Sequence, residues 1–135
     1  MERLQDRLNL AAKSLATLRE VASMEVDPVP KRDITIIRFI YTFEALWKAA
    51  RQFLMVVEGI DVQTPKGCVR GCRDAGLLTD EQTVDALTMA DDRNLTVHIY
   101  NEALAQEIYA RVPRHISVME AWFGAMSERV EDVGL

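Results

Sequence analysis

At 135 residues, 49% of them hydrophobic and 27% charged, the chain can enclose one core and is too apolar for disorder. The formal net charge of −5 argues against a general polyanion-binding surface, so any nucleic-acid contact has to be local. Six glycines and four prolines are few for a fold of many tight turns and favour long helices.

A single domain over 1–135 is expected. Residues 2 to 23 place Leu4, Leu8, Ala11, Leu15, Leu18 and Ala22 three or four apart between charged residues, which predicts an amphipathic helix. Asp27-Pro28-Val29-Pro30 cannot continue it and is expected to form a turn or short linker. From Lys31 to Glu58 no proline or glycine intervenes, and Ile34, Ile37, Ile40, Tyr41, Phe43, Leu46, Trp47, Ala50, Phe53, Leu54 and Val57 cover more than one stripe. This predicts the central helix, ended by Gly59. Thr64-Pro65 opens a shorter helix that Gly76 ends. Thr79 or Asp80 caps a fourth helix reaching the Arg93 to Tyr100 segment. Asn101-Glu102 begins a fifth, which Pro113 should kink or break before Ile116, Met119, Trp122, Phe123 and Met126 resume the pattern. No stretch alternates as a strand does, so the expected fold is all-α, an up-and-down antiparallel bundle of about five helices.

No apolar run approaches the roughly 18 residues of a membrane span, and the first ten residues are charged from Glu2 onwards, so a cytoplasmic protein is expected. Cys68 and Cys72 read as two reduced thiols on a helix, since a structural zinc site needs four ligands in short paired spacings. No cofactor motif is visible, nor a phosphate loop or the sequence pattern of a nucleotidyltransferase.

One block can carry chemistry: Asp91-Asp92-Arg93-Asn94-Leu95-Thr96-Val97-His98-Ile99-Tyr100-Asn101-Glu102. Arginine offers a planar fork of donors to a phosphate, and histidine moves a proton near neutral pH. At roughly 100° per residue, a continuous helix sets Arg93 and Tyr100 almost on one line and Arg93 and His98 about 140° apart. Either the helix ends here or a second subunit completes the site across a two-fold axis. The ordinary alternative is that Arg93 and His98 merely bond to helix-end carbonyls or pair with Asp91, Asp92 and Glu102.

The string Arg93-x4-His98-x-Tyr100, with Asn94 directly after the arginine, resembles the signature of the HEPN superfamily. The phrase RNLTVHIYNEALAQEIY is similar to the helical partner of minimal nucleotidyltransferases, the nucleotidyltransferase substrate-binding proteins, a group that includes HepT-like toxins. The resemblance implies a metal-independent ribonuclease of a toxin–antitoxin pair. In it His98 activates the 2′-hydroxyl, Arg93 holds the phosphate, Asn94 positions the pair, and Tyr100 accepts AMP from a nucleotidyltransferase antitoxin. It implies a homodimer, an RNA substrate and that antitoxin as partner.

Two other functions compete with this one: a non-catalytic subunit binding substrate or nucleotide for the nucleotidyltransferase, and a plain dimerisation module. Trp47, Phe53, Trp122 and Phe123 read as core or interface residues rather than a base-stacking platform. Lys66, Arg70 and Arg73 form a small basic cluster that reads as a solvated face, with RNA or an acidic partner as the other option. His115, beside the expected kink, reads as structural.

Overall fold

The computed structural model describes residues 2–25 and 27–134. Five helices and no strand occur among them: α1 (Glu2–Ala22), α2 (Pro28–Val57), α3 (Pro65–Asp74), α4 (Asp80–Leu95) and α5 (Glu102–Asp132), with a 3-10 turn over Thr96–His98. No helix among the described residues is long and apolar enough to cross a membrane.

The predicted stripe of α1 is the buried one, with Leu4, Leu8, Ala11, Leu15 and Leu18 all inside the core. They pack chiefly on α2, which contacts all four other helices. Phe39, Phe43, Leu46, Phe53 and Leu54 of α2 are fully enclosed. Each such side chain contributes roughly 1.5–3 kcal/mol through burial. Ile34, Ile37 and Tyr41, three and four residues apart on the same helix, remain exposed. Phe53 and Trp122 are core residues, and Trp47 and Phe123 pack half-buried against the same core.

Pro28 and Pro30 do not form a linker. They occupy the first turn of α2 after Asp27, where a missing backbone N–H is no loss and the fixed φ suits a helix. Gly59 and Gly76 stand in the left-handed region, φ 70° and 81°, as the expected stops of α2 and α3. At Gly76 the Leu77 N–H donates to the Cys72 carbonyl and the Gly76 N–H to the Arg73 carbonyl, which is a Schellman ending. Thr79 rather than Asp80 caps α4: its hydroxyl accepts from Gln82 N–H while the Gln82 side chain accepts from Thr79 N–H.

Pro113 does not break α5, which runs as one helix past it. The reason is tertiary. Arg111 and His115, on either side of the proline, both bind Asp92 of α4, and Val112 and Met119 are core residues. These anchors outweigh the one backbone bond that proline removes.

The end of α4 as a candidate functional site

Helix α4 stops at Leu95, and the Thr96 hydroxyl folds back to donate to the Arg93 carbonyl at 2.6 Å. The chain then makes its 3-10 turn, and the Asn101 side chain caps α5 by accepting from Leu104 N–H at 3.1 Å. Of the two alternatives the sequence leaves open, the helix ends here, and the angles of a continuous helix through Tyr100 do not apply. Thr96 and Asn101 bond to nearby backbone and offer the chain an alternative to further helix. Consequently Tyr100 does not lie over Arg93. It lies beside His98, whose Nδ1 is 3.3 Å from the Tyr100 hydroxyl, with the rings edge to face.

Two pairs of polar side chains result. Arg93 Nη1 donates to Asn94 Oδ1 at 3.2 Å, and His98 pairs with Tyr100. No hydrogen bond joins one pair to the other among the described residues. Tyr100 is 81% exposed, and Asn94 and His98 are also exposed, so their polar ends are open to a ligand.

None of the acids expected to hold Arg93 or His98 does so. Asp91 pairs with Lys66 at 2.5 Å, Glu102 takes the guanidinium of Arg32 at 2.7 Å, and Asp92 is buried against Arg111 and His115. The counter-ion of Arg93 is Glu44 on α2, which meets its Nη2 as an ion pair without the angles of a hydrogen bond. Glu44 escaped the sequence reading, because a charge on a facing helix leaves no periodic trace.

Asp92 ties the site to α5. Arg111 donates to both of its oxygens at 2.8 Å, and His115 Nε2 lies 2.7 Å from Oδ2. Burial pushes the Asp92 carboxyl up, but the bonds from Arg111 and His115 outweigh it and leave the pKa below the ordinary value. Burial lowers the His115 pKa, only partly offset by Asp92. The imidazole is therefore neutral, with Nε2–H donating to Asp92 and Nδ1 buried without a partner; a proton on Nδ1 would have no acceptor. The ring stacks on Phe39 at 5.2 Å. His115 is structural, as its position beside Pro113 suggested.

Two surface hollows adjoin Arg93 and Asn94. One, of about 380 Å³, is lined by Phe43, Thr64, Pro65, Lys66 and Ala90; the other, of about 450 Å³, by Ile40, Thr96 and Val97. A hollow of about 430 Å³ at the opposite end of α4 is lined by Asp85 and Arg114, which neutralise each other. Glu81 lines it too and lies 3.9 Å from the same guanidinium, so two carboxylates share one cation there. In the basic cluster, Lys66 and Arg73 are paired with Asp91 and Asp80, and Arg70 is exposed. Cys68 and Cys72 are buried, which pushes their thiols up to about 11 and about 12 and keeps them protonated.

The family described as nucleotidyltransferase substrate binding protein like matches residues 6–128. A crystal structure from Thermus thermophilus is similar with a TM-score of 0.82 and 48% identity, covering 86% of this chain and 98% of that one. A Haemophilus influenzae protein, described as showing the fold of a substrate binding domain of a nucleotidyltransferase, is 19% identical at TM-score 0.74, over 89% of this chain and 98% of that one. A tri-AMPylated Shewanella oneidensis HEPN toxin, solved in complex with its MNT antitoxin, is 16% identical at TM-score 0.73, over 93% of this chain and 96% of that one. At the two lower identities the likeness is one of fold. No curated protein sequence matches the chain significantly.

Proposed function

Because the chain belongs to the nucleotidyltransferase substrate-binding protein-like family, we propose that it is the helical partner of a minimal nucleotidyltransferase and acts as a HEPN-type, metal-independent endoribonuclease. One observation supports this reading: the end of α4 and its turn carry two polar pairs, Arg93–Asn94 and His98–Tyr100, while Asp91, Asp92 and Glu102 are engaged elsewhere. In the reaction His98 accepts the proton of a ribose 2′-hydroxyl, whose oxygen attacks the neighbouring phosphorus. Arg93, steadied by Asn94, takes the developing negative charge. The bond from phosphorus to the 5′-oxygen breaks and that oxygen takes up a proton, leaving a 2′,3′-cyclic phosphate and a 5′-hydroxyl.

The purified chain should cleave single-stranded RNA in the presence of EDTA and yield those two ends. His98→Ala and Arg93→Ala should each lower the rate by about 10²-fold or more, with helical circular dichroism unchanged. Wild-type cleavage by His98→Ala would remove the nuclease assignment, and arrest by EDTA its metal independence.

A second reading, a non-catalytic subunit that binds substrate or nucleotide, is favoured by the Glu44–Arg93 ion pair and by the lack of any bond between Arg93 and His98. A wild-type chain that binds RNA or nucleotide without cutting it would establish this reading in place of the first.

A further inference from the structure

Arg93 and Asn94 line both hollows, and the two hollows differ in chemistry. On one side, the floor is the enclosed Phe43 and Ala90, and the rim carries Lys66 and Thr64 at the start of α3. On the other, Ile40, Thr96 and the exposed Val97 give a mostly apolar lining, and Val97 is the residue directly before His98. Each hollow is at the low end of the roughly 300–1,000 Å³ typical of small-ligand clefts. Arg93, whose counter-ion is Glu44, borders both clefts and suits an anion that has a substituent on each side and displaces that carboxylate. A phosphodiester is such an anion; a terminal phosphate is not.

We propose that the two hollows are the subsites for the two nucleosides flanking one phosphodiester held by Arg93 and Asn94, with the chain direction fixed. The direction rests on the nuclease reading above. The 2′-hydroxyl to be deprotonated belongs to the upstream nucleoside, which carries the 3′-oxygen of the phosphodiester. Of the two hollows only the Ile40–Val97 one is lined by a residue adjoining His98 in the chain, so the upstream nucleoside is assigned there. The downstream nucleoside, joined through its 5′-oxygen, then occupies the Phe43–Lys66 hollow. There the Lys66 ammonium, shared with Asp91, reaches the next phosphate of a longer strand.

Amide-resolved NMR on the full chain tests both the two-sidedness and the direction. The probes are a nucleoside 3′-monophosphate, a nucleoside 5′-monophosphate and a dinucleoside monophosphate whose upstream sugar is 2′-deoxy, so that it cannot be cut. The 3′-monophosphate should shift the amides of Thr96 and Val97 and leave those of Lys66 and Gly67 unmoved. The 5′-monophosphate should do the reverse, and the dinucleotide should move both sets. Lys66→Gln should weaken binding of the same dinucleotide carrying a 3′-terminal phosphate about threefold to tenfold, and leave the 3′-monophosphate affinity unchanged. Shifts confined to one hollow for all three probes, or no dinucleotide binding, overturn the subsites. Both hollows responding with the two monophosphates exchanged overturns the direction. Two-sided binding by a chain that does not cut RNA keeps the subsites and discards the nuclease reading, so the two failures are distinguishable.

Discussion

Tyr100 presents its ring and hydroxyl to solvent, and its one polar partner among the described residues is His98 Nδ1. Transfer of AMP to it bonds the Tyr100 oxygen to the α-phosphorus of ATP and releases pyrophosphate. The hydroxyl then has no proton to share with His98, and a phosphate stands against the imidazole. With a cognate nucleotidyltransferase and ATP, the chain should gain AMP at Tyr100 and its RNA cleavage should fall. Peptide mass spectrometry of wild type and Tyr100→Phe checks this; labelling that persists in Tyr100→Phe, or maps to the exposed Tyr41, contradicts it. The motif Arg93-x4-His98-x-Tyr100 was legible in the sequence because its members are near neighbours. Which of them touch was not, because that depends on where α4 ends, and the ending is set by the short side-chain bonds of Thr96 and Asn101.

At the scale of elements, the join between α4 and α5 makes stability depend on pH. Below about pH 6.5 the unfolded chain protonates the His115 imidazole, while the folded chain, whose His115 pKa is depressed, does not. Stability is therefore lost as the pH falls through that value. Asp92, also depressed, adds stability that is present above about pH 4 and is lost as the pH drops toward its folded value. The urea midpoint should thus decline from about pH 7 to 5 and again below about 4. His115→Gln should flatten the upper decline; a wild-type midpoint constant from pH 7 to 5 contradicts the assignment. Asp92→Ala, which strands Arg111 and His115, should lower stability by about 2–4 kcal/mol in denaturant melts, the partial exposure of Arg111 keeping it below the largest values for buried pairs. The caps of α4 and α5 and the glycine stops of α2 and α3 could be read from local sequence. The passage of α5 through Pro113 could not, since the contacts that carry it come from Asp92 on another helix.

Across the whole molecule, the spacing of apolar residues sufficed for the all-α fold, because the marked faces are buried apart from Ile34, Ile37 and Tyr41 of α2. The case for a two-fold assembly needs a different footing. It was built on Arg93 and His98 pointing about 140° apart on one straight helix, and α4 ends between them. What supports self-association is the exposed stripe of Ile34, Ile37 and Tyr41 along one face of α2. Light scattering at micromolar concentration should report a homodimer, and Ile37→Asp should dissociate it with circular dichroism unchanged. A wild-type mass of one chain at all concentrations would leave the stripe without this role.

Asp92 is bound to α5 from a position directly before Arg93, whereas the residues after Leu95 are held by short-range bonds such as Ile99 N–H to the Thr96 carbonyl and Asn101 N–H to the His98 carbonyl. The two halves of the site therefore belong to different opening units. Arg93 should be freed only when α4 separates from α2 and α5, and His98 and Tyr100 when the turn lets go together with Ile99, which packs on Ile36, Ala105 and Ile108. Native-state hydrogen exchange should show Met89 to Arg93 protected to near the global unfolding free energy, with Ile99 and Asn101 exchanging far sooner. Equal protection across Leu95 would make the block one rigid unit. A tyrosine on a segment that opened alone could enter another enzyme's cleft while the arginine stayed in place, so the proposed AMP transfer to Tyr100 would require no unfolding of the core.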